Sequence, residues 1–115
     1  MHYRKTMDID NLHILTENET GFVSFREREN LIYVSFKNIL LNFTLGEFQA
    51  FRTMAKSVVR EEYLLPFPNG SRRIIMQTPF EGIHFSFAIE EINVLIDTLD
   101  EAHYMYEIKG LISKH

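Results

Sequence analysis

Apolar and polar positions along the chain repeat themselves. From Ile39 to Val58 the sequence ILLNFTLGEFQAFRTMAKSV alternates at Ile39, Leu41 and Phe43, then changes to a three-and-four spacing at Leu45, Phe48, Phe51, Ala55 and Val58. The same change occurs 44 positions later in IHFSFAIEEINVLIDTLDEA: Ile83, Phe85 and Phe87 alternate before Ile89, Ile92, Leu95, Leu99 and Ala102. A period of two buries one face of a strand, and a period near 3.6 buries one stripe of a helix. The spacing therefore predicts a strand running directly into a helix, twice.

The flanking residues extend this plan. Phe22, Val23 and Phe25 predict a strand that becomes solvated through Arg26, Glu27 and Arg28, followed by a polar turn over 27–30. LIYVSF, Leu31 to Phe36, is β-branched and aromatic enough for a second strand. Lys37-Asn38 then reads as a two-residue hairpin turn, with Asn able to take the positive φ such turns need. Thr44 and Glu47 form a capping-box pattern at the start of a helix expected over 45–63, which Pro66, Pro68, Asn69 and Gly70 close with a loop. In the second half, which begins at about Arg72, a shift of 44 lays Leu31–Phe36 on Ile75–Phe80 and the turn on Glu81-Gly82. Pro79 there calls for an edge strand or a bulge. A strand at Ile83–Phe87 and a helix from Ile89 to about Tyr106 follow. The second cap is weaker, because Ala88 stands where Thr44 stands and has no side-chain oxygen. Glu90 and Glu91 offset this by placing negative charge at the positive end of the helix dipole.

These elements predict an α+β fold: an antiparallel sheet of about five strands with two helices on one face, in the order β-β-β-α-β-β-α, as a pseudo-two-fold internal repeat. Residues 1–20 read as a polar N-terminal tail with one short ordered piece at Leu12–Leu15. Residues 21–115 read as a single domain with half-repeats at about 21–65 and 71–109.

Composition narrows the function classes. Hydrophobic residues make up 45% of the 115, with ten Phe, enough to build an ordered core. A net charge of −4 argues against a global attraction to phosphate or anionic lipid. The chain has no cysteine, which removes disulfides, thiolate metal sites and Cys nucleophiles together and fits a reducing cytoplasm. The N-terminus lacks the apolar run of a secretory signal, and no apolar stretch reaches the roughly 18–20 residues that span a bilayer. A cytoplasmic location is therefore expected, without a membrane.

The segments F-x-N-I-L-L-x-F-T-x-x-E-F-x-x-F at Phe36–Phe51 and T-P-x-x-G-I-x-F-S-F-x-x-E-E-I at Thr78–Ile92 resemble a small family of bacterial proteins, mainly from Bacteroidetes, that carries a domain-of-unknown-function label. The resemblance covers roughly residues 22–106. It implies a cytoplasmic bacterial origin and supplies no activity, cofactor or catalytic residue. The doubled sheet-then-helix plan is also similar to single-strand-binding folds of the PUR-α kind, a likeness of plan that carries no function by itself.

The candidate site is the side of the sheet turned away from the helices. If Ile32, Val34, Phe36, Ile39, Leu41, Phe43, Ile83, Phe85 and Phe87 face inward, Tyr33, Leu40, Asn42, Arg73, Ile75, Gln77 and His84 face outward with Leu31, Ser35 and Ser86. That mixture of Leu, Ile and Tyr with Arg, Gln and His suits a dimer interface or a shallow binding surface, and the expected function is a non-enzymatic interaction module that forms a homodimer through this face or a strand edge. The plain alternative is that the N-terminal tail covers it. Nucleic acid is a lesser reading: Tyr33 and Phe25 could stack, and Arg26, Arg28, Arg72 and Arg73 could meet phosphate, but the chain is acidic. An enzyme centred on His84 has the least support. The sequence holds no H-x-x-x-H, no glycine-rich phosphate loop and no G-x-S-x-G. His84, on an alternating strand, and His103, near the apolar stripe of the second helix, are more simply hydrogen-bonded structural histidines, and the Phe48/Phe51 and Leu95/Leu99 stripes are core. No catalytic residue, cofactor or metal is expected.

Overall fold

A computed structural model of the chain describes residues 12–60, 64–78 and 80–110. Strands β1 (Leu12–Asn18), β2 (Gly21–Arg26), β3 (Leu31–Phe36) and β4 (Ile39–Phe43) precede helix α1 (Leu45–Arg60). Strands β5 (Leu64–Pro66), β6 (Arg72–Gln77) and β7 (His84–Phe87) precede helix α2 (Ile89–Ile108). Over the described residues the fold is α+β, with two helices and two antiparallel sheets, one ordered β1-β2-β3-β4 and the other β5-β6-β7. The single sheet of about five strands is thus corrected to two sheets, in the order β-β-β-β-α-β-β-β-α. The physical reason is local: each strand bonds only to its neighbours in the chain through antiparallel turns, so each half closes its own ladder before its helix begins.

The extra strands explain the rest of the difference. β1 is longer than the short piece expected at Leu12–Leu15 and pairs along β2, from Leu12 opposite Arg26 to Asn18 opposite Gly21. Asn18 organises the turn between them. Its Oδ1 accepts from the amides of Thr20 at 2.9 Å and Gly21 at 3.2 Å. Gly21 is required by close approach, since a Cβ built there would lie 1.8 Å from the carbonyl oxygen of Ser35. β5 occupies only Leu64–Pro66. Residues 1–11, the end of the first helix expected at 61–63, and Pro79 with its expected edge strand or bulge lie outside the described residues.

Two compact units can be recognised, one holding the described residues up to Phe48 together with those from Thr98 on, the other Gln49–Asp97. In the first, Val23, Phe25, Ile32, Val34 and Phe36 are buried on one side of the four-stranded sheet. The last turns of α2 pack there: the Tyr106 ring stands edge-on to Phe25, centroids 5.0 Å apart, and Asn18 Nδ2 donates to Thr98 Oγ1 at 3.0 Å. Burial pushes the Tyr106 phenol pKa up. In the second unit, Ile74, Met76 and Phe87 of the small sheet are buried, as are Phe51, Ala55 and Val58 of α1 and Ile92 and Leu95 of α2.

Both helices start where the spacing predicts. Glu47 N–H donates to Thr44 Oγ1 at 3.2 Å and Thr44 N–H donates to Glu47 Oε1 at 2.9 Å, a complete capping box. At α2 the return half alone survives: Ala88 N–H donates to Glu91 Oε1 at 2.8 Å. Two inward assignments are corrected. Ile83 is 56% exposed because it precedes β7 in the turn, and Ile89, in the first turn of α2, is 41% exposed. The β6–β7 turn is also wider than its counterpart. Thr78 Oγ1 donates to the carbonyl of Ile83 at 2.6 Å and accepts from the amide of Phe80 at 3.1 Å, so β6 ends at Gln77 and not at Phe80. In the β3–β4 turn the positive φ falls on Lys37, at 55°, and not on Asn38.

Candidate interaction surface

The hydrogen-bond alternation of the β3–β4 hairpin determines what the first sheet offers at its end. With Lys37-Asn38 as a two-residue connection, Phe36 and Ile39 form a bonded pair, as do Val34 with Leu41 and Ile32 with Phe43. The amide of Lys37 donates to the carbonyl of Thr20 at 2.7 Å, which places the odd-numbered residues of β3 toward β2 and confirms the phase. The main-chain N–H and C=O groups of Leu40 and Asn42 therefore point away from β3, along an edge that no strand pairs among the described residues.

Side chains along β4 are less covered than those beside them. Ile32, Val34 and Phe36 of β3 are buried, whereas Ile39, Leu41 and Phe43, opposite them on the same face, are only half-buried. On the other face Leu40 is 62% exposed and Asn42 is exposed. Tyr33 lies opposite Asn42, half-buried, with the Arg26 guanidinium 5.6 Å from its ring centroid. Arg26 also approaches Glu29 at 3.8 Å.

The seven residues expected on one outward face are divided between the two sheets. Tyr33, Leu40 and Asn42 share the four-stranded sheet, while Arg73, Ile75, Gln77 and His84 share the three-stranded one. There Gln77 lies opposite His84, and Ile75 opposite Ser86. His84, Gln77 and Ser86 are exposed, and Ile75 and Arg73 half-buried. Arg73 is occupied within its own unit: Nε donates to Ser86 Oγ at 3.0 Å, and Nη2 donates to the Ser86 carbonyl at 2.9 Å and meets Glu91 at 3.4 Å. Phe25, considered as a stacking ring, is buried against Tyr106 on the opposite face from Tyr33. The tail considered as a cover forms, over Leu12–Asn18, a strand that extends the sheet beside β2.

Sequence reasoning missed the Asn18 turn, although Asn-Glu-Thr-Gly after Leu12, Ile14 and Leu15 is a turn signal behind an apolar stretch. Among the described residues no group of three or more His, Cys, Asp or Glu could hold a metal ion, and no helix is long and apolar enough to cross a membrane.

Residues 7–113 match the family of unknown function DUF6686, and the chain belongs to that family. No curated protein and no solved structure matches it.

Proposed function

We propose that this protein is a non-enzymatic interaction module that associates with a second copy of itself through the four-stranded sheet, at its open face or its β4 edge. The observation that supports this reading is β4 itself: Ile-Leu-Leu-Asn-Phe carries no charge and no proline, and Leu40 stands 62% exposed on it. Edge strands in monomers are usually shortened, bulged or charged to prevent such pairing. Sedimentation velocity over the micromolar range tests the reading, with a dimer expected and a monomer throughout opposed to it.

Three finer features belong to the same proposal. The chain carries an internal repeat: β4 and β7 end at Phe43 and Phe87, 44 positions apart, and each helix begins two positions later with the same carboxylate-to-amide bond. Its origin is bacterial, in line with the resemblance of its two motifs. Its location is cytoplasmic, in keeping with the lack of cysteine.

A second reading is single-stranded nucleic-acid binding on the open face, favoured by the Arg26 guanidinium over the Tyr33 ring. Titration with single-stranded DNA tests it: affinity that falls steeply as salt rises supports it, and no binding at low salt removes it. A small enzyme around His84 is the third reading. Nothing beside His84 among the described residues favours it beyond the sequence.

A further inference from the structure

We infer that two copies pair β4 to β4 in antiparallel fashion about a two-fold axis at Leu41, a register that rests on the self-association proposed above. Among the described residues the four sheet edges are unequal. β1 is irregular between Ile14 and Thr16 and carries Glu17; β5 is three residues long and ends in Pro66; β7 is four residues long and begins with His84. β4 has five regular residues with no charge, proline, glycine or bulge. It is the edge on which nothing opposes a second strand.

The sequence of β4 then selects the register. Only the N–H and C=O groups of Leu40 and Asn42 face outward, so an antiparallel partner must bond to those residues. Centring the pair on Leu41 sets Leu40 opposite the partner's Asn42 and Asn42 opposite the partner's Leu40, and every outward group of both residues is satisfied. Leu41 then meets the partner's Leu41 as a non-bonded pair, where side chains approach most closely. Ile39 meets the partner's Phe43 on that same face. These are the half-buried residues beside the fully buried row of β3, so the pairing continues a core that otherwise thins out at β4.

Charge agrees with this placement. The formal charges nearest the ends of β4 are Lys37 in the turn before it and Glu47 in the first turn of α1. The antiparallel register brings the partner's Lys37 to the end of β4 from which α1 departs, so opposite signs meet. The axis runs through the sheet from face to face, giving one sheet in the order β1-β2-β3-β4 followed by its inverse. Both copies keep their buried sides in common.

Engineered cysteines test the register, because the native chain has none to interfere. Under oxidised glutathione, Leu41→Cys should convert to a covalent dimer, since facing residues of a non-bonded pair lie within disulfide reach. Ile39→Cys, on the same face and also half-buried, should remain largely uncrosslinked, because it faces the partner's Phe43. Asn42→Pro removes an outward N–H without touching the β3–β4 ladder and should raise the dimer Kd about tenfold or more. Equal crosslinking at both cysteine positions, or association unchanged by Asn42→Pro, would overturn the β4 register and leave self-association standing. A wild-type chain that never dimerises would remove both.

Discussion

The ring of Tyr106 meets Phe25 edge-on, with centroids 5.0 Å apart and planes at 74°. One residue lies in the last turns of α2 and the other in β2, so α2 packs on the first sheet. The first unit is therefore built from segments far apart in the sequence, its strands together with the last turns of α2. Tyr106→Ala should cost about 3–5 kcal/mol in chemical denaturation. A double-mutant cycle with Phe25→Ala should leave a coupling of about 0.5–1.5 kcal/mol beyond area burial. Additive effects would show that the two rings do not stabilise one another.

Burial also makes the same tyrosine a source of alkaline sensitivity. Its phenol pKa is raised in the folded chain, while an unfolded tyrosine ionises at about 10. Below that pH both states hold the proton and the contribution is complete. As pH rises past 10 the unfolded state loses its proton first, so stability falls until the folded phenol also ionises. Denaturation midpoints measured across that range should decline, and Tyr106→Phe should remove this part of the decline. An identical decline in the variant would assign it to other groups.

The unequal helix caps offer a gain as well as a loss. Thr44→Ala should cost about 1 kcal/mol by removing the hydroxyl that accepts from Glu47 N–H. Ala88→Thr should add about 0.5–1 kcal/mol by supplying the missing half of the box beside the bond that Glu91 already makes. Thermal unfolding followed by circular dichroism reads both, and a destabilised Ala88→Thr would mean that the second cap lacks room for the hydroxyl.

Gly21 can be tested by addition of a single methyl group. At that position a Cβ would stand 1.8 Å from the Ser35 carbonyl oxygen, a distance only backbone displacement can relieve. Gly21→Ala should cost at least about 2 kcal/mol in urea titration, whereas the same change at Gly46, where nothing lies within 4 Å of an added Cβ, should be neutral or stabilising.

Much of this architecture could be read from side-chain spacing. β3 and β4 lie at 31–36 and 39–43 as alternation predicts, and the caps at Thr44 and Ala88 mark the helix starts at Leu45 and Ile89. β1 was hidden because its register shifts between Ile14 and Thr16, where Leu15 and Thr16 are buried in succession and the period of two is broken. β5 was hidden by its length and by Pro66, which signals a loop. The split of the sheet was not legible at all, since which strands bond across a chain depends on contacts that no local period records. For the same reason Tyr33, Leu40 and Asn42 lie in one sheet, while Arg73, Ile75, Gln77 and His84 lie in another.

Side-by-side sedimentation velocity of the wild-type chain and Asn42→Pro addresses the central claim most directly. The account predicts a concentration-dependent dimer for the wild type and a boundary close to the monomer for the variant, with circular dichroism unchanged between them. A wild-type chain that sediments as a monomer across the micromolar range would contradict it.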